Sequence, residues 1–454
     1  MLLKNKKFRY YYWIILAFTQ KHARLILLSF LISIISIISI VSLSPYLVSY
    51  VTTQKDSIGI VGTYDSSHVP DEILSKISNS LIFINEKGQI IPILADSWEQ
   101  INNGREYRFH LKKNLFWNDG KKFTVQDLNY SFKDVEIKRN GDYVISFILE
   151  KPLPIFPTYL TTPVIKAPLV GVAGLYKIEH SKAKYGDLTE LYLTPNKSDL
   201  PIIIYKFYDN ETKLINAYKL GEINQMMVNR KSVADIFADW KNTNIEKVVD
   251  YSKLLTLFFN MNNDLLKERD VRQSVLMSIN KEKLKDVGEE AAGPVPPISW
   301  AYNPNLKQYQ YNPDLAEKLM RKYNEGTHSA TLTLDTSYEY LDIAEQVRDD
   351  IKQLGVDIKI NTAPIQQDAS FEMLLAYWKV PLDPDQYYFW HSTQKTGNIT
   401  NYNNVKVDKL LEDGRSTLSV SERKKIYFNF QKLIQDDAPA YFMFYPYTYI
   451  IKRK

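Results

Sequence analysis

Aromatic residues crowd two carboxylates in the stretch Met373–Ser392, MLLAYWKVPLDPDQYYFWHS, which runs on to Asn398–Asn404, NITNYNN. Tyr377, Trp378, Tyr387, Tyr388, Phe389 and Trp390 surround Asp383 and Asp385, with Lys379 as the neighbouring cation. Apolar walls carrying a few placed polar groups are what a binding cleft requires. Six aromatics are too many for one pocket, however, so some must be core and only Trp378 and one tyrosine are expected to face a ligand. Bond-making chemistry has no comparable support. The chain has no G-x-S-x-G, H-E-x-x-H or phosphate loop, and its six histidines, at 22, 68, 110, 180, 328 and 391, do not cluster. It has no cysteine, which excludes disulfides, thiolate metal sites, a cysteine nucleophile and a lipidated cysteine anchor. The expectation is a binding protein with no cofactor and no metal, not an enzyme.

At 454 residues the chain is too long for one core, and two or three domains are expected. A hydrophobic fraction of 45% and a charged fraction of 24% are those of a folded globular protein. The formal charge is +5, yet Lys4, Lys6, Lys7, Arg9, Lys21 and Arg24 contribute +6 before residue 25, so the rest carries −1. A near-neutral body argues against nucleic acid as a partner. From Leu25 to Leu43 the sequence LILLSFLISIISIISIVSL holds no charge. That length can cross a hydrocarbon core of about 30 Å. A transmembrane anchor over 25–48 is therefore expected, its apolar run exceeding that of a signal peptide, with a cleaved signal peptide as the competing reading. The basic residues place 1–24 in the cytoplasm and everything after about residue 50 outside. Tyr10–Phe18 is too short to span.

The element with the most regular local chemistry is Leu94–Phe132. It opens on Leu-Ala-Asp-Ser-Trp-Glu, turns at Asn102-Asn103-Gly104, and alternates through Tyr107, Phe109 and Leu111 as a half-buried strand. Trp117-Asn118-Asp119-Gly120 supplies a turn, and Thr124 with Asp127 forms a capping box that predicts a helix with Val125, Leu128 and Phe132 on one face. This order resembles the extracellular solute-binding proteins of family 5, the oligopeptide, dipeptide and nickel-binding components of ABC importers. Their pattern is "LA-x-SWE, short turn, Y-x-F-x-L, F-x-DG, T-x-x-D-[VL]-x-YSF". Further segments are similar to that family: Glu211–Leu220 as a helix stopped by Gly221 before Glu222-Ile223; the strand Leu255–Met261 before Arg269-Asp270-Val271-Arg272-Gln273; and a capped helix from Ser419 with Glu422 to Asp437-Ala438-Pro439.

The resemblance implies an α/β, two-lobed periplasmic-binding-protein-like fold of the Venus-flytrap type (class II) with an extra second domain. Domain I would take 56–80, 165–254 and 437–454, a trimmed domain II 81–164, and domain III 255–436. Together with the expected anchor, it implies a membrane-tethered, extracytoplasmic, monomeric subunit of an ABC importer. Such a subunit binds a peptide or related small solute and delivers it to permease subunits; a sensory or scaffolding relative without transport is the alternative. Matching residue by residue, Trp378, Asp383, Pro384, Asn398 and Tyr402 fit the family's "W-x-AD-x-x-DP-x-x-[FY]…N-x-x-x-Y". Trp300 follows its "G-P-x-P" loop, and Tyr64 stands where its first strand opens to the cleft. Ligand-binding roles are expected for Trp378, Asp383, Asn398, Tyr402, Trp300 and Tyr64. In peptide binders an aspartate before "DP" holds the peptide's ammonium group. Here Lys379, Val380, Pro381 and Leu382 occupy that place, none acidic. Either Asp383 or Asp385 substitutes, or the ligand presents no ammonium there, or its amine goes elsewhere. Lysine is rarely buried, which makes Lys379 a solvated side chain, an acidic ligand being the other reading.

Overall fold

The strand Lys253–Phe259, KLLTLFF, is apolar on both faces, and a strand of that kind must be covered on both. In the computed structural model its alternate side chains enter two separate cores. Leu255, Leu257 and Phe259 join the helices Arg269–Ser278, Pro313–Asn324 and Leu341–Lys352. Leu254 and Phe258 meet Val407 and Leu411 of helix Val405–Ser416 and Tyr427, Phe430 and Ile434 of helix Val420–Asp437. The structure describes residues 6–52, 54–85, 87–324, 331–362 and 370–454. Lys4 and His328 lie outside them.

Among the described residues one sheet of 12 strands runs through both large lobes. In the C-terminal lobe its order is the C-terminal strand Ala440–Arg453, then Lys253–Phe259, Met373–Lys379, Thr331–Thr336 and Asp357–Thr362, the last two parallel. In the N-terminal lobe the same C-terminal strand adjoins Gln225–Val228, followed by Lys55–Val61, Ile202–Tyr208, Asp187–Pro195 and Tyr176–Lys184. Its first half pairs with Lys253–Phe259 and its second half with Thr243–Val249, from Tyr447 to Arg453. Thr243–Val249 and Lys253–Phe259 are joined by a turn in which Asp250 Oδ1 accepts from the Ser252 N–H at 3.0 Å. The lobes are thus linked by two antiparallel strands crossing side by side, the arrangement through which a hinge acts.

A third core belongs to residues 81–172. It centres on a four-stranded antiparallel sheet, Ala95–Ile101, Glu106–Leu111, Val144–Leu149 and Val135–Asn140, with Tyr107, Phe109, Phe123, Phe147 and Phe156 fully buried. The capping box at Thr124 forms, with the Asp127 carboxylate accepting from the Thr124 N–H at 2.8 Å. The predicted helix does not follow. Val125–Asp127 is a single 3-10 turn, because Arg139 takes the carbonyls a helix would have used: Nε donates to Val125 O at 3.1 Å and Nη2 to Leu128 O at 2.7 Å. Elsewhere the local signals hold. Helix Glu211–Leu220 ends at Gly221 with φ of 80°, a left-handed conformation that glycine adopts without cost. Arg272 is buried and donates to the carbonyls of Leu266, Lys267, Asp437 and Ala438, which is a structural role.

The N-terminal segment forms helices Lys6–Lys21 and Ala23–Thr52. A single span over 25–48 is not shown: among the described residues no single helix is both long and apolar enough to cross a membrane. Arg9–Lys21 and Ala23–Ser39 have the length and composition only as a pair bent by 76°.

Candidate solute-binding site

Strand Met373–Lys379 carries Trp378 and Lys379 to the end of the C-terminal lobe's sheet. Trp378 is held from behind, its Nε1 donating to the buried Thr256 hydroxyl at 3.1 Å and its ring standing edge-on to Phe389 at 4.6 Å. The chain then turns through Pro381–Asp385, where both carboxylates are already engaged. Asp383 receives Arg423 Nη2 at 2.7 Å and Nη1 at 3.2 Å, both residues 8% exposed. Burial pushes the Asp383 carboxyl up and the guanidinium opposes it, while burial works against Arg423's charge and Asp383 more than restores it; the bidentate geometry keeps the pair ionic. Asp385 Oδ2 accepts from Arg415 Nε at 2.9 Å, and the Arg415 guanidinium lies 4.1 Å over the Tyr387 ring. Burial lowers Arg415's basicity, but Asp385 reverses the shift and leaves it raised.

Trp300 belongs to the same cluster. Arg423 lies 5.1 Å from its ring centre and Tyr427 stands edge-on to it, while its buried indole N–H makes no hydrogen bond among the described residues. Asn398 and Tyr402 sit behind these residues as a frame. Asn398 is buried, donates to Tyr402 O at 2.7 Å and accepts from the Tyr402 N–H at 3.1 Å. The Tyr402 hydroxyl donates to Asp437 at 2.6 Å, and burial together with that carboxylate pushes it strongly up. Tyr64 lies in the N-terminal lobe, its ring against Phe207 at 5.2 Å and its hydroxyl donating to Val61 O at 3.3 Å. The structure therefore brings Trp378, Asp383 and Trp300 into one connected region, ties Asn398 and Tyr402 into its support, and sets Tyr64 on the other lobe.

Three places show the lobes meeting. Lys379 Nζ reaches Asp71 Oδ2 at 2.5 Å, Asp71 opening helix Asp71–Ile77. Arg415 Nη2 donates to the Tyr159 hydroxyl at 3.3 Å, with Tyr159 packed on Phe132 and Phe156 of the small domain. Gly88, at φ of 73°, abuts Trp300 so closely that a Cβ there would stand 2.7 Å from the indole nitrogen. None of Asp71, Tyr159, Arg415 or Arg423 was expected from the sequence. The available signal was that two carboxylates in an aromatic stretch require cations, and arginines stand at both 415 and 423. A groove of about 890 Å³ in the small domain, lined in part by His110, Lys113 and Asp142, shares no residue with this region.

Residues 89–400 match the model of the bacterial extracellular solute-binding proteins, family 5. The chain belongs to that family. This family 5 protein is 24% identical over 465 residues to the oligopeptide-binding protein AppA of Bacillus subtilis, spanning 86% of the chain and 85% of AppA. The structure of AppA in complex with a nonapeptide superposes with a TM-score of 0.71 at 21% identity, covering 88% of this chain and 94% of that one. NikZ from Campylobacter jejuni, in complex with Ni(L-His), superposes with a TM-score of 0.73 at 22% identity over the same shares. The fold is thus the mixed α/β fold of periplasmic peptide-binding proteins, and this family 5 member is a solute-binding protein.

Proposed function

We propose that this protein captures a peptide or related small solute between its two lobes, outside the cytoplasm, and delivers it to the permease of an ABC importer. The observation that carries the reading is the pair of crossing strands beside a seam closed by side chains such as Lys379 and Asp71, which is what hinge closure on a solute needs. The separate cores of residues 81–172 and of the two large lobes support a three-domain division near the boundaries expected above. A seam completed within one chain fits a monomer. Tethering is supported by the uncharged run Leu25–Leu43, whose large side chains from Leu25 to Ile38 are exposed, with basic residues before it. The relatives named for peptide binding support a peptide ligand.

Trp378, Trp300 and Tyr64 are the residues assigned to ligand contact, with Asn398 and Tyr402 holding the loop. Asp383 and Asp385 are engaged by Arg423 and Arg415, so neither is placed to receive a ligand's ammonium group. The test is a thermal-shift screen of the full chain in detergent with short peptides and their N-acetylated forms. A peptide that binds only the folded state raises the melting temperature by mass action. Free and acetylated forms are expected to shift it equally. No shift with any peptide, but one with a nickel–histidine complex, would overturn the peptide assignment.

A further inference from the structure

We propose that Lys379–Asp71 and Arg415–Tyr159 form a latch that stabilises the closed arrangement of the lobes independently of any solute, so that solute binding completes closure instead of supplying all of it. Both contacts join rigid elements of different lobes. Lys379 ends strand Met373–Lys379 and Asp71 begins helix Asp71–Ile77, where a carboxylate is also favoured by the helix dipole. Arg415 ends helix Val405–Ser416 and Tyr159 is wedged by the Phe132 and Phe156 rings.

The two halves differ in preparation. Arg415 is fixed before it crosses the seam, because Asp385 grips its Nε at 2.9 Å and Tyr387 lies under its plane, so little side-chain freedom is lost when Nη2 meets the Tyr159 hydroxyl. Burial pushes Tyr159 up, which keeps the hydroxyl neutral and the contact short of a full ion pair. Lys379 and Asp71, at 78% and 73% exposed, are a solvated ion pair that salt will screen. A two-state equilibrium between open and closed lobes responds to each contact made only in the closed state.

The chain has no cysteine, so Leu220→Cys and Val405→Cys, both at exposed positions on opposite lobes, accept spin labels without interference. Distance distributions are then measured on the full chain in detergent. Lys379→Gln and Tyr159→Phe should each lower the closed-to-open ratio about two- to five-fold, and together multiplicatively. Raising sodium chloride to about 1 M should reproduce the Lys379→Gln shift in the parent and leave the Tyr159→Phe shift intact. Asp71→Asn breaks the ion pair from its other end and must match Lys379→Gln, which separates a lost contact from a folding fault. A double variant with the parent's distribution, or a parent lacking the short distance, overturns the latch.

Discussion

The loop Pro381–Asn404 and the small domain of residues 81–172 flank the same seam and are built from opposite materials. The loop is fixed by charge and directed hydrogen bonds: Asp383 to Arg423, Asp385 to Arg415, Asn398 to Tyr402, Tyr402 to Asp437. The small domain is fixed by rings, with Trp98, Tyr107, Phe109, Phe132, Phe147 and Phe156 linked by successive stacked and edge-on contacts. Apolar packing fails gradually as area is removed, whereas a buried ionic network fails abruptly when one partner is lost. The loop side of the seam is thus the one whose geometry is specified most tightly and forgives least.

Removing one side of an ion pair is the largest way to break that contrast. Arg423→Ala leaves Asp383 buried and uncompensated and should cost about 3–5 kcal/mol in urea unfolding, while Asp383→Leu with Arg423→Met should recover most of it. If the single and double variants unfold alike, the loop is not held by charge. Lys281 tests a buried cation that lacks such a close partner: its nearest carboxylate oxygen, on Glu290, is 3.7 Å away and its ammonium sits 4.6 Å over Tyr441. Burial pushes it down from 10.5 to about 8. The unfolded chain then holds more protons between those values, so stability should rise as pH climbs from about 8 to about 10.5. Lys281→Met should stabilise the protein at neutral pH by on the order of 2–3 kcal/mol and flatten that rise. Parallel pH profiles for parent and variant would exclude the effect. The smallest change belongs to the aromatic side: Tyr107→Phe removes only the hydroxyl that donates to Leu153 O at 3.1 Å, and should cost about 1 kcal/mol. A loss as large as that of Arg423→Ala would erase the contrast.

What could be read from the sequence divides along the range of the interactions concerned. The stop at Gly221 and the cap at Ser419 depend on residues close in the chain and were legible, whereas Arg272 also reaches the carbonyls of Asp437 and Ala438, 165 and 166 residues away. The helix after Thr124 was misread because the competitor for its carbonyls, Arg139, arrives from another strand. The same limit governs the site. Asp383 and Asp385 stood out by type, but their partners lie 40 and 30 residues further on. Lys379 was read as solvated, and it is; its pairing with Asp71 spans 308 residues and left no local trace.

The strand Ala440–Arg453 follows in the chain every strand it joins, from Gln225–Val228 to Gly288–Glu290. Before it docks, both lobes carry an open sheet edge, the kind of surface that templates aggregation. Neither lobe can mature ahead of the other, and folding must wait for contacts of very long sequence separation, which are slow to form. The strand acts as a common keystone: the sheets of both lobes are completed by one segment that lies far along the chain from the strands it joins.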